Sequence, residues 1–471
     1  TRTYLQLSSE EEEMIAAAKK ACDKVIVILN TSNTLELGFV DDEGVDAALL
    51  VGLTGLTGVN SVVDILRGED KNGKVVNPSG RTADTYAYDI SSAPSSVNSG
   101  YGGAVKYTGL ATSNNYSKNY YDAYIDYYEG IYVGYKWYET ADEEGYIDYE
   151  KTVQYPFGYG LSYTEFEREK PTFKEESDKY VVTMKIKNAG SKYSGKDVLQ
   201  VYLNKPYTEY DKANGVEKAG IELVGFAKTG ELKVGADGET VTVTVDKESL
   251  RTYDSYGAKT YILEKGDYYL SVGTSAHDAL NNVLAAKGYT PANTDGRMDA
   301  AGDAEMTYKI TIAEDDFETY SKNEKGVEIT NRFDDADLNR YDGKGNNSVT
   351  YMTRSNWEGT VKLGLTKTHE RLNNEVKVTA TAKMVSDAAK GSTKLQKDDV
   401  AYPTYGDGTY EKTLGSLLSI KDDKLEKVEY NDERWEEILD QLTWEDTVML
   451  LSNGLRKTWG LEIKTETIDG N

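Results

Sequence analysis

The sequence has very few of the side chains on which metal sites and nucleophilic sites depend. Its 471 residues include one cysteine, Cys22, and two histidines, His277 and His369. A single thiol cannot close an intrachain disulfide, so the fold must depend on its hydrophobic cores. Zinc ligation and a Ser-His-Asp triad both need more imidazole or thiolate groups than this composition offers. We therefore expect no metal and no cofactor, and any catalysis should use carboxylates.

Acidic residues outnumber basic residues, and the sequence lacks long apolar runs. Lys and Arg total 54 against 80 Asp and Glu, which gives a formal net charge of -26 at pH 7. A surface of this charge repels phosphate backbones, so nucleic acid is not an expected partner. The sequence contains no run of about 18 apolar residues, so no membrane span is expected. The charge balance therefore indicates an acidic protein, and the length predicts roughly two to four domains.

Residues 1–165 alternate between helical and strand patterns. The expected elements, in order, are a helix at 10–22 capped by Ser9 with Glu12, a strand at 25–29, a strand at 47–51 and a helix at 60–66. The apolar run at 25–29 is typical of a strand that is covered on both faces. Strand, glycine loop and helix in this order predict a parallel α/β sheet. Because few strands follow, we expect part of this sheet to lie upstream of residue 1.

The pattern changes to short alternating strands in residues 166–275. Strand-like segments occur at 180–186, 198–203, 241–245 and 268–272. Short strands at this spacing predict a seven-stranded immunoglobulin-like sandwich. Residues 276–430 are polar and predict a connector with some β structure, at 306–312 and 376–380. Within residues 431–471, apolar residues again recur at the spacing of a helix, and Thr443 is expected to begin a second helix there.

Several motifs occur in a fixed order along the chain. They are Asn77-Pro78-Ser79-Gly80-Arg81, Glu129-Gly130-Ile131-Tyr132-Val133-Gly134, Pro156-Phe157-Gly158-Tyr159-Gly160-Leu161, Gly195-Lys196-Asp197-Val198-Leu199-Gln200, Glu222-Leu223-Val224-Gly225-Phe226 and Leu439-Asp440-Gln441-Leu442-Thr443-Trp444-Glu445-Asp446. In this order the sequence resembles glycoside hydrolase family 3. The resemblance implies a partial α/β-sandwich domain at 1–165, a fibronectin type III-like β-sandwich at 166–275 and the start of a (β/α)8 barrel at 431–471. A barrel that follows the β-sandwich resembles the reversed-order branch of the family.

The resemblance implies a retaining, exo-acting β-glucosidase that hydrolyses terminal β-D-glucosides. Such chemistry needs two carboxyl groups about 5–5.5 Å apart. In the family, the nucleophile is an Asp deep in the barrel, and the acid/base is a Glu on a loop of the α/β domain. Both are expected outside these residues, so we assign no catalytic residue. The expected partners are a β-glucoside or oligosaccharide and the rest of the same polypeptide, extending beyond both ends; a homo-oligomer is left open.

One residue matches a substrate ligand of the family. Asp469 and Gly470 resemble the Asp-Gly pair at the end of the first barrel strand, where the Asp accepts hydrogen bonds from hydroxyls of the non-reducing sugar. Residues at the carboxyl ends of barrel strands face the active site, which supports the assignment independently. Asn471 stands where the family commonly has Pro. The alternative is that Asp469 only forms a turn before Gly470.

Two other functions remain open at this stage. Within enzymes, the sugar specificity could be that of a β-xylosidase or a β-N-acetylglucosaminidase. Outside enzymes, the same domains could form a non-catalytic carbohydrate-binding or cell-surface structural module. The barrel-entry pattern at 439–471 favours the enzyme, because a pure binding module has no reason to keep it.

Individual residues lead to further expectations about packing. Cys22 is expected to be a small buried hydrophobe and His277 a surface residue. We expect Arg81 to pair with a carboxylate. Glu129 is interpreted as a helix-end salt bridge rather than a carboxylate at the rim of a site.

The remaining segments are interpreted as structural. Residues 156–161 are expected to form a clamping loop. The tyrosines at 116–138 are interpreted as packing residues rather than a sugar platform. The acidic segment at 334–339 is interpreted as a solvated loop, because Arg340 stands where a calcium loop needs Gly.

Overall fold

The structure is a computed structural model. It describes residues 5–55, 57–98, 105–106, 123–124, 127–295, 297–331, 333, 337, 339, 349–361, 382, 386, 406, 409–413, 419–421, 424–426, 428 and 432–450. The chain divides into two compact units, Thr1–Val385 and Ser386–Asn471, which are described separately. In the described part, no helix is long and apolar enough to cross a membrane.

The first 160 residues contain the predicted alternation of helices and strands. The elements are α1 Ser9–Ala21, β1 Ile26–Leu29, β2 Ala47–Leu50, α2 Val59–Arg67, β3 Tyr86–Ala87, β4 Val105–Lys106, β5 Ala123–Tyr124, α3 Tyr135–Glu143, α4 Tyr149–Thr152 and β6 Val153–Tyr155. Strands β1 and β2 pair in parallel, with Ile26 opposite Ala47. The α/β class is therefore confirmed.

Three details of this region differ from the sequence-based predictions. The N-cap of α1 is Ser8, which exchanges two hydrogen bonds with Glu11, so the predicted box of Ser9 and Glu12 is displaced by one residue. Cys22 follows the last residue of α1 and is exposed, so the prediction that it is buried is wrong. The helix itself also has no buried residue. Strand β1 is covered on one face only among the described residues, since Ile26 and Ile28 are exposed.

The larger core of the α/β region is aromatic. Tyr132 and Trp137 are fully buried, and both pack edge-on against Trp357, with ring centroids 4.9 and 5.3 Å apart. Trp357 belongs to α7, Trp357–Thr360, which lies within the predicted connector. The backbone of Met352 also donates to the Tyr128 carbonyl at 2.7 Å. Residues 349–361 therefore complete the core of the α/β domain.

A β-sandwich follows, as predicted. Its strands are β7 Phe166–Arg168, β8 Thr172–Glu175, β9 Lys179–Asn188, β10 Val198–Asn204, β11 Glu222–Lys228, β12 Glu239–Asp246, β15 Gly266–Gly273 and β16 Thr307–Ile312, with a small hairpin of β13 Thr252–Asp254 and β14 Thr260–Ile262. One sheet has the order β11-β10-β15-β16, and the other has the order β12-β9-β7 with β8 also paired to β9. Strand β9 alternates between buried and partly exposed residues, so one face of it forms the core.

The sandwich continues beyond the boundary expected at residue 275. Strand β16, expected in the connector, pairs antiparallel with β15 from Ile312 opposite Gly266 to Thr307 opposite Ser271. Between them lies α6, Ala276–Ala286, whose N-cap Ser275 accepts from the Asp278 amide. This helix is almost entirely buried, because it packs on β15 and contacts α3 of the α/β domain. A boundary at residue 275 would therefore divide one sheet.

The described residues of the second unit form a hairpin and two short helices. The hairpin joins β17 Ser419–Lys421 to β18 Lys424–Glu426, and the helices are α8 Arg434–Leu439 and α9 Trp444–Met449. Thr443 caps α9 through a reciprocal pair of hydrogen bonds with Asp446, which confirms the predicted restart of the helix. The strand expected at 376–380 lies outside the described residues.

Candidate functional site

The substrate ligand expected from the sequence, Asp469, lies outside the described residues, as do most of the tyrosines at 116–126 and most of the acidic segment at 334–339. Tyr128, Tyr132 and Tyr138 are buried core residues, which agrees with a packing role. Glu129 is also buried, in the turn where its carbonyl accepts from the Tyr132 amide. It therefore lies in a turn before α3 rather than at the end of a helix.

The motif at 77–81 joins the α/β domain to the sandwich. Arg81 Nη2 lies 2.8 Å from Asp197 Oδ1, and Arg168 Nη2 lies 2.6 Å from the other carboxylate oxygen. Asp197 is fully buried, and these guanidinium groups compensate its charge. The prediction that Arg81 pairs with a carboxylate is confirmed. Asn77 adds a second link, since its Nδ2 donates to the Ser194 carbonyl at 2.9 Å.

The loop at 156–161 is clamped against the sandwich. Gly158 has a φ of +87°, and a Cβ at this position would lie 2.3 Å from Gln200 Oε1. The Gln200 amide in turn donates to the Gly158 carbonyl at 3.1 Å. Only glycine fits both the backbone conformation and this close approach. The structural interpretation of this loop is confirmed.

His277 is buried between two carboxylates, and the prediction that it lies on the surface is wrong. Its Nδ1 is 2.8 Å from Glu139 Oε2, and its Nε2 is 2.9 Å from Asp299 Oδ1. The ring of Tyr149 stacks on the imidazole with centroids 3.6 Å apart, and its hydroxyl donates to Glu139 Oε1 at 2.6 Å. Asn281 donates to Asp299 at 3.0 Å. These contacts join α3 and α4 of the α/β domain to α6.

The charges around His277 change its protonation. Burial alone would lower the pKa of His277, but the attraction of Glu139 and the hydrogen bonds to both carboxylates outweigh it and raise the pKa to about 10. The imidazole is therefore a cation at neutral pH. Burial raises the pKa of the neighbouring Asp142 to about 8, although His277 opposes this shift. The His277 and Glu139 side chains thus form a buried ion pair between the two domains.

A cleft of about 720 Å³ lies beside this cluster, between the α/β domain and the sandwich. Its described walls come from the end of α3, the segment after β10, helix α5 (Glu209–Asn214), strand β15, the residues after α6 and the segment around Arg354. Most of the lining side chains are charged or are tyrosines. None of these was identified from the sequence, because they come from segments far apart along the chain.

Arg354 organises one wall of the cleft. Its guanidinium lies 3.1 Å from Glu143 Oε2, pairs with Glu144, and donates to the Lys218 carbonyl at 3.0 Å. The guanidinium carbon also lies 4.7 Å from the centroid of the Tyr207 ring. Burial would raise the pKa of Glu143, but Lys287 and Arg354 outweigh it and hold that pKa below its usual value. Glu143 therefore stays ionised and fixes both cations.

A buried charge cluster lies next to Arg354, whose guanidinium donates to the Lys218 carbonyl. Lys218 Nζ lies 2.8 Å from Asp211 Oδ2 and also contacts Glu264, and all three side chains are almost fully buried. Asp211 lies in α5, whose N-cap Thr208 donates its hydroxyl to Glu264 at 2.6 Å. This cluster holds α5, and with it Lys212, at the mouth of the cleft. In the described part of the chain, no group of three or more His, Cys, Asp or Glu side chains is arranged to hold a metal ion.

Comparison with known proteins identifies two domains. Residues 1–163 match the glycosyl hydrolase family 3 C-terminal domain, and residues 197–276 match the fibronectin type III-like domain. The first match covers the α/β region, and the second covers strands β10 to β15 of the sandwich. The chain thus carries a C-terminal domain of the glycosyl hydrolase family 3 type, followed by a fibronectin type III-like domain.

Individual relatives share the same region. A β-glucosidase from Ruminococcus albus is 32% identical over 282 residues, 59% of this chain and 25% of that enzyme. β-Glucosidase A from Butyrivibrio fibrisolvens is 30% identical over 293 residues, 58% of this chain and 30% of that enzyme. A solved β-glucosidase from Paenibacillus barengoltzii is 29% identical, with a TM-score of 0.48 over 58% of this chain and 27% of that chain. The chain thus spans between 25% and 30% of the length of the two curated relatives.

Proposed function

We propose that this chain is part of a retaining, exo-acting β-glucosidase that hydrolyses terminal β-D-glucosides. The observation that carries the proposal is the family 3 C-terminal domain followed directly by the fibronectin type III-like domain. The similarity to two curated β-glucosidases over this same region supports the choice of substrate. Retention, terminal attack and preference for glucose are parts of the proposal.

The described domains act as a scaffold in this proposal. The buried carboxylates that join the α/β domain to the sandwich are engaged by cations: Asp197 by Arg81 and Arg168, and Glu139 by His277. A buried carboxylate whose oxygens are already bound by cations is poorly placed to transfer a proton to a substrate. These groups therefore fix the relative position of two domains, and the proposal places the two catalytic carboxyl groups outside this chain.

Asp469 is the residue that we propose as a substrate ligand. A carboxylate can accept hydrogen bonds from two vicinal hydroxyls, and each hydrogen bond to a charged group contributes about 1.5–3 kcal/mol. Its position after the barrel-entry helices α8 and α9 is the expected one for the end of a first barrel strand.

The proposal is tested with the complete polypeptide that contains these residues. Hydrolysis of nitrophenyl β-D-glucoside, β-D-xyloside and N-acetyl-β-D-glucosaminide should be fastest for the glucoside. Proton NMR during the first turnovers should show the β-anomer of glucose, because retention preserves the configuration. Initial release of the α-anomer would refute retention, and a higher kcat/KM for another sugar would refute the proposed specificity.

A further inference from the structure

We propose that the cleft between the α/β domain and the sandwich binds a neutral oligosaccharide. The residues that carry the inference are Glu143, Lys287, Tyr289 and Arg354, all of which line the cleft. The inference concerns binding alone, and it stands whether or not the hydrolytic activity proposed above is found.

The size and polarity of the cleft define the kind of ligand. A volume of about 720 Å³ lies within the range of about 300–1,000 Å³ that is usual for small-molecule sites. Such sites are mostly apolar, whereas this one is lined mainly by charged side chains and tyrosines. A ligand that fits this lining must offer many hydrogen-bonding groups, as a sugar does.

The charges of the lining favour a neutral ligand. Lys287 Nζ lies 3.4 Å from Glu143 Oε1, and Arg354 binds the other oxygen of the same carboxylate. An anion entering here would meet Glu143 and Glu144, and a cation would meet Lys287 and Arg354. A hydroxyl group can accept from the cations and donate to the carboxylates, so vicinal hydroxyls suit a row of alternating donors and acceptors.

Tyrosine rings supply the apolar part of the site. Tyr289 lines the cleft and is 42% exposed. Its backbone is held at the end of α6, where its amide donates to the Leu284 carbonyl at 2.9 Å. Deeper in the cleft, the ammonium of Lys287 lies 5.7 Å from the centroid of the Tyr269 ring. A rigid, exposed ring beside charged donors can pack against the C–H face of a pyranose while its hydroxyls reach the charges.

Binding is tested on the 471-residue chain. Cellotetraose, laminaritetraose and inorganic phosphate are titrated separately and followed by isothermal calorimetry and saturation-transfer NMR. We expect at least one oligosaccharide to bind saturably, with a Kd on the order of 1 mM, and phosphate not to bind. Tyr289→Ala should weaken binding about fivefold, since it removes the exposed ring.

Two further variants make the test specific. Ser355→Phe places a bulky group at the cleft without altering the Arg354 ion pairs, and it should abolish binding. Phe226→Ala is the matched control: it removes a ring that is 68% exposed on β11, outside the cleft, and should leave the Kd unchanged. Circular dichroism and the Tm verify that each variant is folded.

Three results would overturn the inference. The first is no binding of either oligosaccharide up to about 10 mM. The second is binding that Tyr289→Ala and Ser355→Phe leave unchanged while both variants remain folded, which would place the ligand elsewhere. The third is binding of phosphate alone, which would make the cleft an anion site. None of these results depends on whether the complete polypeptide hydrolyses a glucoside.

Discussion

Glu139 and His277 lie 138 positions apart in the sequence, yet Glu139 Oε2 and His277 Nδ1 are 2.8 Å apart in the buried contact between α3 and α6. This bond joins the α/β domain to the helix that follows strand β15 of the sandwich. Asp299 binds the other ring nitrogen, so a charged imidazole is held on both sides. Charge-assisted hydrogen bonds of this kind fix the geometry of a contact as well as stabilising it.

Replacing His277 with Asn should lower the free energy of unfolding by about 3–5 kcal/mol, because Glu139 would remain fully buried without its cation. Urea unfolding followed by tryptophan fluorescence measures the change. The control is Lys151→Met, which breaks the exposed pair with Asp148 and should leave the free energy of unfolding nearly unchanged. Equal, small effects of the two variants would show that the His277 pair does not hold the domains together.

The stability of the chain should also fall as the pH rises above neutrality. The pKa of His277 is about 10 in the folded chain against 6.5 for an ordinary histidine, so the folded state binds this proton more tightly. Its stabilisation is complete below pH 6.5 and is lost as the pH rises towards 10. Asp142, with a folded pKa of about 8 against 3.8, acts in the same direction between those two values.

For His277 the expected loss is on the order of 1 kcal/mol per pH unit across that window. Urea unfolding at pH 7, 8, 9 and 10, compared between the natural chain and His277→Asn, isolates the contribution of this histidine from that of tyrosines and lysines. The difference between the two proteins should shrink as the pH rises. A constant difference from pH 7 to 10 would mean that His277 is not charged in the folded state.

Gly158→Ala tests the clamp between the 156–161 loop and the sandwich. The new Cβ would require a positive φ and would lie 2.3 Å from Gln200 Oε1, so a loss of about 3 kcal/mol is expected. Gly73→Ala is the matched control, because Gly73 also has a positive φ but nothing lies within 4 Å of its Cβ position. It should cost only about 1 kcal/mol. Thermal unfolding compares the two, and equal losses would mean that the close packing at Gly158 has no effect.

Local patterns predicted the individual elements well. The alternation in β9 predicted a strand with one buried face, and the Thr443 capping box predicted the start of α9. The start of α1 was misplaced by one residue because Ser8 with Glu11 and Ser9 with Glu12 both have the spacing of a capping box. Sequence spacing alone cannot decide between two overlapping boxes.

Long-range contacts could not be predicted in this way. His277 was expected on the surface because its only charged neighbour in sequence is Asp278, whereas its partners, Glu139 and Asp299, come from distant segments. The strand β16 was expected in a connector because 33 residues separate it from β15, yet the two pair along six residues. The cleft combines side chains from several such segments, so no local pattern indicated it.

Asp469→Asn in the complete polypeptide should lower kcat/KM on a glucoside by about tenfold or more, on the order of 1.4 kcal/mol. The amide keeps the shape of the side chain but loses the charge that accepts from two hydroxyls. The Tm should stay nearly unchanged, because a substrate ligand does not hold the fold. Wild-type kcat/KM, or a variant that unfolds, would show instead that Asp469 is a structural turn residue.

The most direct test of the proposed function is a paired assay of nitrophenyl β-D-glucoside hydrolysis with the complete gene product and with residues 1–471 alone. The proposal predicts release of nitrophenol by the complete polypeptide and none above the buffer blank by the 471 residues, because both catalytic carboxyl groups are expected outside them. Turnover by residues 1–471 that survives repurification would contradict the account. So would a reading frame that ends at codon 471 and encodes a protein that binds sugars without cleaving them.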